Sequence, residues 1–337
     1  MSKTNFSTAA ARITAVGTYV PERILTNHDL EKMVDTSDEW ILRRTGMRQR
    51  RIAAEHQFTS DLCVEAAKDL VQRSGAELHD VDLIIVATST PDYGFPSTAA
   101  QIQHRLKISS RAAAFDLSAA CAGFTYGVYL ADQLIMAGAH RKALIFGADT
   151  MSKITDYKDR STCILFGDGA GVVLIEAQEA REQADPEPMI IASHFTTDGS
   201  GGLHVYRSGL SHQMNGQPLT GSGCIVQNGR EVYRWAVTEV STGIAKLLEE
   251  AGLAAAEVDW FVPHSANMRM IESICEKSGI ALSRTLTSME YFGNTSAASI
   301  PLALSPAMQD GRIKPGQKVL LYGFGAGLVS CGIIMLM

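Results

Sequence analysis

Short apolar runs alternate along the chain with longer stretches in which apolar residues recur every three to four positions. The runs read as buried strands and the longer stretches as amphipathic helices. Ile13 to Val20 is a strand closed by Pro21, Leu83 to Ala87 is a strand apolar on both faces, and Ala112 to Leu117 and Ala143 to Gly147 are further strands. Between them, 59–74 places Leu62, Cys63, Ala66, Ala67, Leu70 and Val71 on one helical face, with Thr59 or Ser60 as cap and Gly75 as stop. A helix is expected over Ser97 to Leu106. Another follows Leu117 and runs through Val128, Leu130, Ala131, Leu134 and Ile135. Thr162 to Glu176 reads as strand, turn and strand around Phe166-Gly167-Asp168-Gly169-Ala170-Gly171, and residues 1–11 as a polar terminus.

The pattern then repeats. A helix over about 231–251 stops before Gly252, and six residues later come Val258-Asp259 and the apolar Trp260-Phe261-Val262; Gly75 stands in the same relation to Val81-Asp82, 177 positions earlier. Lys142-Ala143-Leu144-Ile145-Phe146-Gly147 likewise matches Lys318-Val319-Leu320-Leu321-Tyr322-Gly323, 176 positions on. Two matches at nearly one offset argue for a duplicated α/β unit. Strands buried between helices imply sheets covered on both faces, so two such units pack as α-β-α-β-α layers. The charged, proline-bearing Glu179 to Pro188 marks the border, dividing the chain into 1–180 and 181–337. Gly199 to Cys224, rich in glycine and serine, reads as an irregular or hairpin insertion.

Composition narrows the function classes. The 337 residues are 46% hydrophobic and 20% charged, which is ordinary for a chain with a large core. A net charge of −6 argues against nucleic-acid binding by bulk electrostatics, so an anionic partner must meet a local basic patch. The six cysteines form no C-x-x-C pair or zinc spacing, and no stretch approaches a membrane span. The expectation is a cytoplasmic enzyme with reduced thiols and no metal.

One cysteine stands out by position. Cys121, in Asp116-Leu117-Ser118-Ala119-Ala120-Cys121-Ala122-Gly123, lies where a strand hands over to a helix, beside free N–H groups and the positive helix end. That setting lowers a thiol's pKa and makes it a nucleophile, against the plain alternative of a small buried cysteine. His264 directly follows a buried strand, where ligand sites of parallel sheets form, and Asn294 occupies a glycine turn before a helix; each alone is more often structural. The turn Gly323-Phe324-Gly325-Ala326-Gly327 adds N–H groups suited to an oxyanion. Five arginines between Arg43 and Arg51 read either as a solvated face or as a clamp for a polyphosphate or an acidic protein. Cys, His and Asn suit thiol hydrolysis, or acyl transfer in which His and Asn donate to a thioester oxygen. The duplicated scaffold and the arginines fit the second better.

The segments Ala119-Ala120-Cys121-Ala122-Gly123-Phe124-Thr125-Tyr126-Gly127, Val262-Pro263-His264-Ser265-Ala266-Asn267-Met268-Arg269 and Tyr291-Phe292-Gly293-Asn294-Thr295-Ser296-Ala297-Ala298-Ser299 resemble the signature blocks of β-ketoacyl-acyl-carrier-protein synthase III. This family contains the initiating condensing enzymes of type II fatty acid synthesis. Thr36-Ser37-Asp38-Glu39-Trp40-Ile41 and Phe166 to Gly171 resemble further family blocks, and the match runs in order from about residue 12 onward. The resemblance implies a thiolase-like fold and a homodimer.

It also implies roles. Cys121 takes the acyl group from a short acyl-CoA, including branched ones by likeness around Gly199 to Gly202 and Val226 to Tyr233. His264 and Asn294 bind the thioester of malonyl-acyl-carrier protein through decarboxylation. The N–H groups of Cys121 and Ala326 form the oxyanion hole, although many members carry glycine where Ala326 stands. Trp40 matches the residue stacked on the adenine of CoA, Arg44 and Arg160 its phosphate ligands, and Asn267 a contact beside the pantetheine. Phe95 matches the residue reaching the partner subunit's acyl pocket. Arg269 and Lys277 match part of the carrier-protein docking surface, from which Glu276 departs. Acyl-CoA is then a substrate and no cofactor is needed; neither nucleic acid nor membrane is a partner. The competing reading is a thiolase-fold acyltransferase or secondary-metabolite ketosynthase using the same Cys-His-Asn site with another acceptor.

Overall fold

The computed structural model describes residues 10–178, 187–220 and 223–337. Most of the expected polar terminus, residues 179–186 of the expected border, and positions 221–222 of the insertion lie outside the described residues. In chain order the main elements are β1 (Ala10–Tyr19), α1 (Asp38–Thr45), α2 (Thr59–Ser74), β2 (Leu83–Ala87), α3 (Thr98–Arg105), β3 (Ala113–Leu117), α4 (Gly123–Met136), β4 (Lys142–Thr150) and β5 (Asp168–Gln178). They continue with β6 (Ile190–Thr197), α5 (Gly229–Ala251), β7 (Trp260–Pro263), α6 (Met268–Ser278), α7 (Ser299–Gln309), β8 (Lys318–Gly325) and β9 (Val329–Leu336).

The first sheet has the order β1-β5-β4-β2-β3 and the second β7-β8-β9-β6. In the first, β2 runs parallel to β3 and β4, while β5 is antiparallel to β4 and β1. In the second, β7 is parallel to β8, and β9 is antiparallel to β8 and β6. The two sheets therefore share one topology, with the counterpart of β3 reduced to a single parallel bridge between Phe261 and Thr285.

Side-chain alternation explains the layers. Leu83, Ile85 and Ile145 face inward with Phe124, Val128 and Ile135 of α4 and Ile300 and Leu304 of α7. Ile84, Val86, Leu144 and Phe146 face outward onto Leu62, Ala66, Leu70 of α2 and Ile102 of α3. Phe261, Leu320 and Tyr322 of the second sheet turn outward onto Ala236, Val240 and Ile244 of α5 and Ile271 and Ile274 of α6. The result is the thiolase-like stack of helices, sheet, helices, sheet, helices, with α4 and α7 buried in the middle. Burial of continuous apolar runs from both faces is what makes each strand stable there, at roughly 25 cal/mol per Å² removed from water.

Two expectations change, and the insertion takes the hairpin alternative. The 59–74 helix is as predicted and ends on Gly75 at φ 69°, but Phe58 is its N-cap, with the Asp61 carboxylate accepting the Phe58 N–H at 2.8 Å. The Thr59 hydroxyl instead donates to the Thr90 carbonyl at 2.6 Å. Thr162 to Glu176 is not two strands: a short helix (Arg160–Cys163) precedes the single strand β5, because Gly167 donates its N–H to the Asn294 carbonyl and the loop is pinned to the other half. The insertion is a nested pair of hairpins, Val205–Arg207 against Ile225–Gln227 and Gln213–Met214 against Gln217–Pro218.

Candidate active site

β3 delivers Cys121 through a 3₁₀ turn (Ala120–Ala122) that leads into α4. Ala120 has φ 46°, a left-handed conformation that costs a non-glycine residue on the order of 1 kcal/mol. Gly325, at the end of β8, lies directly opposite. A Cβ there would stand 3.0 Å from the Cys121 nitrogen and 3.3 Å from its Sγ, so glycine keeps the space before the sulfur open. The thiol donates to the Ser296 hydroxyl at 3.4 Å.

The sequence expectation of an acidified thiol is not what the site produces. Burial pushes the Cys121 thiol up to about 12, and the opposing pull of the Ser296 hydroxyl and of its own N–H is smaller. The residue keeps a partly exposed face toward the cavity, yet the surrounding protein removes most of the water that would solvate a thiolate.

His264 follows β7 and is 2% exposed, edge-on to Phe324 at 5.2 Å between ring centroids. With no charge beside it, burial brings its pKa down to about 3, so the ring is neutral. Its Nδ1 lies 2.7 Å from the Ser299 hydroxyl oxygen, which also accepts the Ser265 N–H at 3.3 Å. A hydroxyl that already accepts there is best used donating to Nδ1. The proton is therefore assigned, from these hydrogen bonds, to Nε2.

Asn294 is positioned by Gly293 at φ 71°, where a Cβ would stand 2.8 Å from both Arg50 Cγ and the Leu165 carbonyl oxygen; no other residue fits that turn. The Asn294 N–H donates to the Leu165 carbonyl at 2.9 Å, and its Oδ1 accepts the Ser296 N–H at 2.9 Å. With Oδ1 so engaged, Nδ2 is left as a donor. His264 and Asn294 are thus two neutral N–H donors held by their neighbours.

Cys121, His264 and Asn294 line one cavity of about 750 Å³ together with Trp40, Arg44, Asn267, Arg269 and Ala326. His264 and Asn294 are its buried members, Cys121 and Trp40 are half-buried, and Arg44 is exposed. The guanidinium carbons of Arg160 and Arg44 lie 4.5 and 5.7 Å from the Trp40 ring centroid, an aromatic plane flanked by cations. Asn267 caps α6, accepting the Arg269 N–H at 3.0 Å, and Arg269 reaches the Arg43 carbonyl. Lys277 is exposed near the end of α6. Phe95 is 90% exposed and does not line this cavity.

The arginine cluster does not act as one clamp. Arg44 alone of the five lines the cavity. Arg50 is fully buried, donating to Asn27 and to the Ile164 carbonyl, and Arg48 pairs with Glu290 at 2.8 Å. Alternation along a short strand turns Arg50 inward, where it supports the Gly293 turn. Residues that the pattern did not single out are Ser299, Ser296 and Phe324 around the reacting groups, and Arg207 and Arg230 in the cavity wall. Both serines stand within the block quoted for Asn294; their contacts, made across the chain, carry no local signal.

Among the described residues, no group of three or more His, Cys, Asp and Glu could hold a metal, and no helix is long and apolar enough to cross a membrane.

Comparison with known proteins agrees over nearly the whole length. The model of the 3-oxoacyl-[acyl-carrier-protein] synthase III family matches residues 115–199, and that of its C-terminal part residues 248–337. The chain is 55% identical over 325 residues to β-ketoacyl-[acyl-carrier-protein] synthase III 2 of Halalkalibacterium halodurans, covering 96% of each. It is equally similar, at 55%, to the protein of that name from Bacillus subtilis, covering 96% of this chain and 98% of the other. Among solved structures, β-ketoacyl-[acyl carrier protein] synthase III from Thermus thermophilus superposes with a TM-score of 0.90 at 41% identity, over 96% of this chain and 98% of its own. Fold, duplicated topology and full-length likeness lead to one conclusion: the chain belongs to the β-ketoacyl-acyl-carrier-protein synthase III family of condensing acyltransferases.

Proposed function

We propose that the protein condenses a short acyl-CoA primer with malonyl-acyl-carrier protein, giving a 3-oxoacyl-carrier protein, carbon dioxide and free CoA. The observation that carries this reading is the meeting of one thiol with two neutral N–H donors from the other half of the chain in a single cavity. A hydrolase needs a histidine able to accept the thiol's proton. A ring held neutral near pKa 3, with its proton assigned to Nε2, is instead suited to donate to a developing enolate.

In the first half-reaction Cys121 Sγ bonds to the primer's carbonyl carbon, the oxyanion takes the N–H groups of Cys121 and Ala326, and the thiol's proton ends on the departing CoA sulfur. In the second, His264 Nε2 and Asn294 Nδ2 donate to the thioester oxygen of the malonyl group. The carbon–carboxylate bond breaks, carbon dioxide departs, and its electron pair is held as the enolate. The enolate carbon then bonds to the acyl carbon and expels Cys121 as a thiolate, which takes up a proton from water. Uncharged donors serve both states: they do not trap the malonyl carboxylate in place, yet they strengthen as charge builds on oxygen.

Trp40, Arg44 and Arg160 supply the stacking surface and cations for the nucleotide end of CoA, and Asn267 a polar contact beside the pantetheine. A second cavity of about 590 Å³, sharing Ala120 and Ala326 with the first and walled by Leu117, Tyr126 and Val329, takes the acyl chain. In the proposed homodimer the exposed Phe95 reaches the partner's acyl pocket, and Arg269 and Lys277 meet the acidic carrier protein. The test is product analysis with malonyl-carrier protein set against alcohol and amine acceptors. The expected outcome is 3-oxoacyl-carrier protein alone; ester or amide formation at comparable rate would sink the reading.

A further inference from the structure

Arg50 is among the largest wholly buried side chains, and none of the roles above uses it. It stands on the short strand Gln49–Ile52, where it meets uncharged oxygens rather than a carboxylate. Its Nε donates to the Ile164 carbonyl at 3.0 Å and its Nη2 to the same oxygen, while Nη1 donates to Asn27 Oδ1. Asn27 is itself fixed, because its Nδ2 donates to Asp38 Oδ1 at 2.8 Å and to the Met47 carbonyl at 2.9 Å. Burial brings the guanidinium pKa down to about 10, which leaves the group charged at pH 7. A cation taken from water without an adjoining carboxylate is costly, and an apolar side chain of similar size would fill the space without that penalty. The retained cation points toward a use for its fork of donors.

The fork holds the strip of chain against which Asn294 is built. One residue beyond the clamped Ile164, the Leu165 carbonyl accepts the Asn294 N–H at 2.9 Å. Two residues further, the Gly167 N–H donates to the Asn294 carbonyl at 3.1 Å. Asn294 thereby pairs with Phe166 as an isolated parallel bridge. The stem of Arg50 lies against both sides of that bridge. A Cβ on Gly293 would stand 2.8 Å from Arg50 Cγ, and one on Gly167 would stand 3.3 Å from Arg50 Cβ. The arginine therefore grips one side of the bridge with its head, through Ile164, and braces both sides along its stem. His264 and Cys121 take their positions elsewhere, from the Ser299 hydroxyl and from the turn after β3.

We infer that Arg50 is a positioning residue for Asn294: its fork and stem hold the 164–167 strip and the Gly293 turn so that Asn294 Nδ2 meets the malonyl thioester oxygen as charge builds there. This rests on the function proposed above. The Asn294 amide can serve only where its backbone places it, because its Oδ1 is tied to the neighbouring Ser296 N–H at 2.9 Å. A displacement on the order of 1 Å is enough to weaken a group's action on a transition state by up to about a hundredfold. Lysine at position 50 would keep the charge, but its single nitrogen lacks the planar fork that takes the Ile164 carbonyl and Asn27 together.

The test uses Arg50→Lys in the whole chain and follows the two half-reactions separately. Acylation of Cys121 by saturating acetyl-CoA is read by intact mass, and the second step by carbon dioxide release from malonyl-carrier protein. Arg50→Lys should slow carbon dioxide release about tenfold and leave the acylation rate within about twofold. Placed in Asn294→Ala, the same substitution should cause no further loss, since the donor it positions is already gone. Unchanged carbon dioxide release in Arg50→Lys would overturn the inference and leave the condensing function standing. So would equal loss of both half-reactions, or a further loss of about tenfold in the Asn294→Ala background, which are the marks of a merely structural arginine. Should Arg50→Lys not fold, Asn27→Ala, which takes the acceptor from Nη1, replaces it in the same comparison with a loss of about threefold. Absence of any acyl group on Cys121 in the unsubstituted enzyme would instead remove the proposed function itself.

Discussion

The ends of the two central strands, β4 and β8, present the same backbone with opposite chemistry. Counting 176 positions from one to the other, as from Lys142 to Lys318, the 3₁₀ turn Ala120–Ala122 corresponds to Ser296–Ala298, and α4 to α7. The left-handed Ala120 then corresponds to the left-handed Ser296, Cys121 to Ala297, Gly123 to Ser299, and Asp149 to Gly325. At one end a carboxylate, Asp149, fills the space before Ala297 and takes its N–H. At the other, Gly325 leaves the Cys121 N–H facing open cavity. The contacts alternate in the same way: Gly123 packs against Ala87, whereas Ser299 hydrogen-bonds His264. A duplicated fold thus supplies two geometrically equivalent corners. One is hollowed around the proposed nucleophile, and the other is filled by a carboxylate.

That comparison can be broken most severely by making the corners alike. Gly325→Asp transplants the first half's carboxylate opposite Cys121, where even a Cβ is crowded at 3.0 Å. Acylation of Cys121 is expected to fall by about a thousandfold, the upper scale for a lost oxyanion donor, with the mass of the acyl-enzyme as readout. Normal acylation would show that the open space is not needed.

A smaller effect is expected from the donors of the second half. His264→Ala and Asn294→Ala should each slow carbon dioxide release from malonyl-carrier protein by about a hundredfold while acylation by acetyl-CoA persists. Loss of both half-reactions to the same degree would mean that the division of labour between the halves is wrong.

The smallest effect concerns stability. His264 is held neutral with a folded pKa of about 3 against 6.5 when exposed, so between these values the unfolded chain binds the extra proton. Its burial thus contributes stability that is fully present above pH 6.5 and lost as pH falls toward 3, by up to about 1.4 kcal/mol per pH unit. Denaturant melts of His264→Gln should be flatter with pH over that window than those of the unsubstituted protein. Equal slopes would show that the imidazole is solvated.

Local pattern carried the architecture a long way. Leu83 to Ala87 and Trp260 to Val262 are strands because nothing but two covered faces suits such runs, and the Gly75 and Gly252 stops are read directly from left-handed helix ends. The motif blocks named Cys121, His264 and Asn294, which line one cavity. Other inferences failed where a distant partner decided the outcome. Phe58 became a cap because Asp61 turned back to it while Thr59 was drawn to Thr90; Arg50 was lost to the interior; Phe166 and Gly167 were tied to Asn294. Ser296 was passed over for the same reason, meeting the Cys121 sulfur only through space.

By itself the order of residues determined the elements, their duplication and the family, and it named the groups proposed to react, since these follow from periodicity, chirality and motif spacing within short reaches of chain. The charge state of those groups was decided by tertiary packing alone. The helix start at Cys121 argues for an acidic thiol, but desolvation in the assembled core outweighs it. The same desolvation keeps His264 uncharged. Proximity and exclusion of water are properties of the folded whole, and they have no counterpart in any local stretch of the chain.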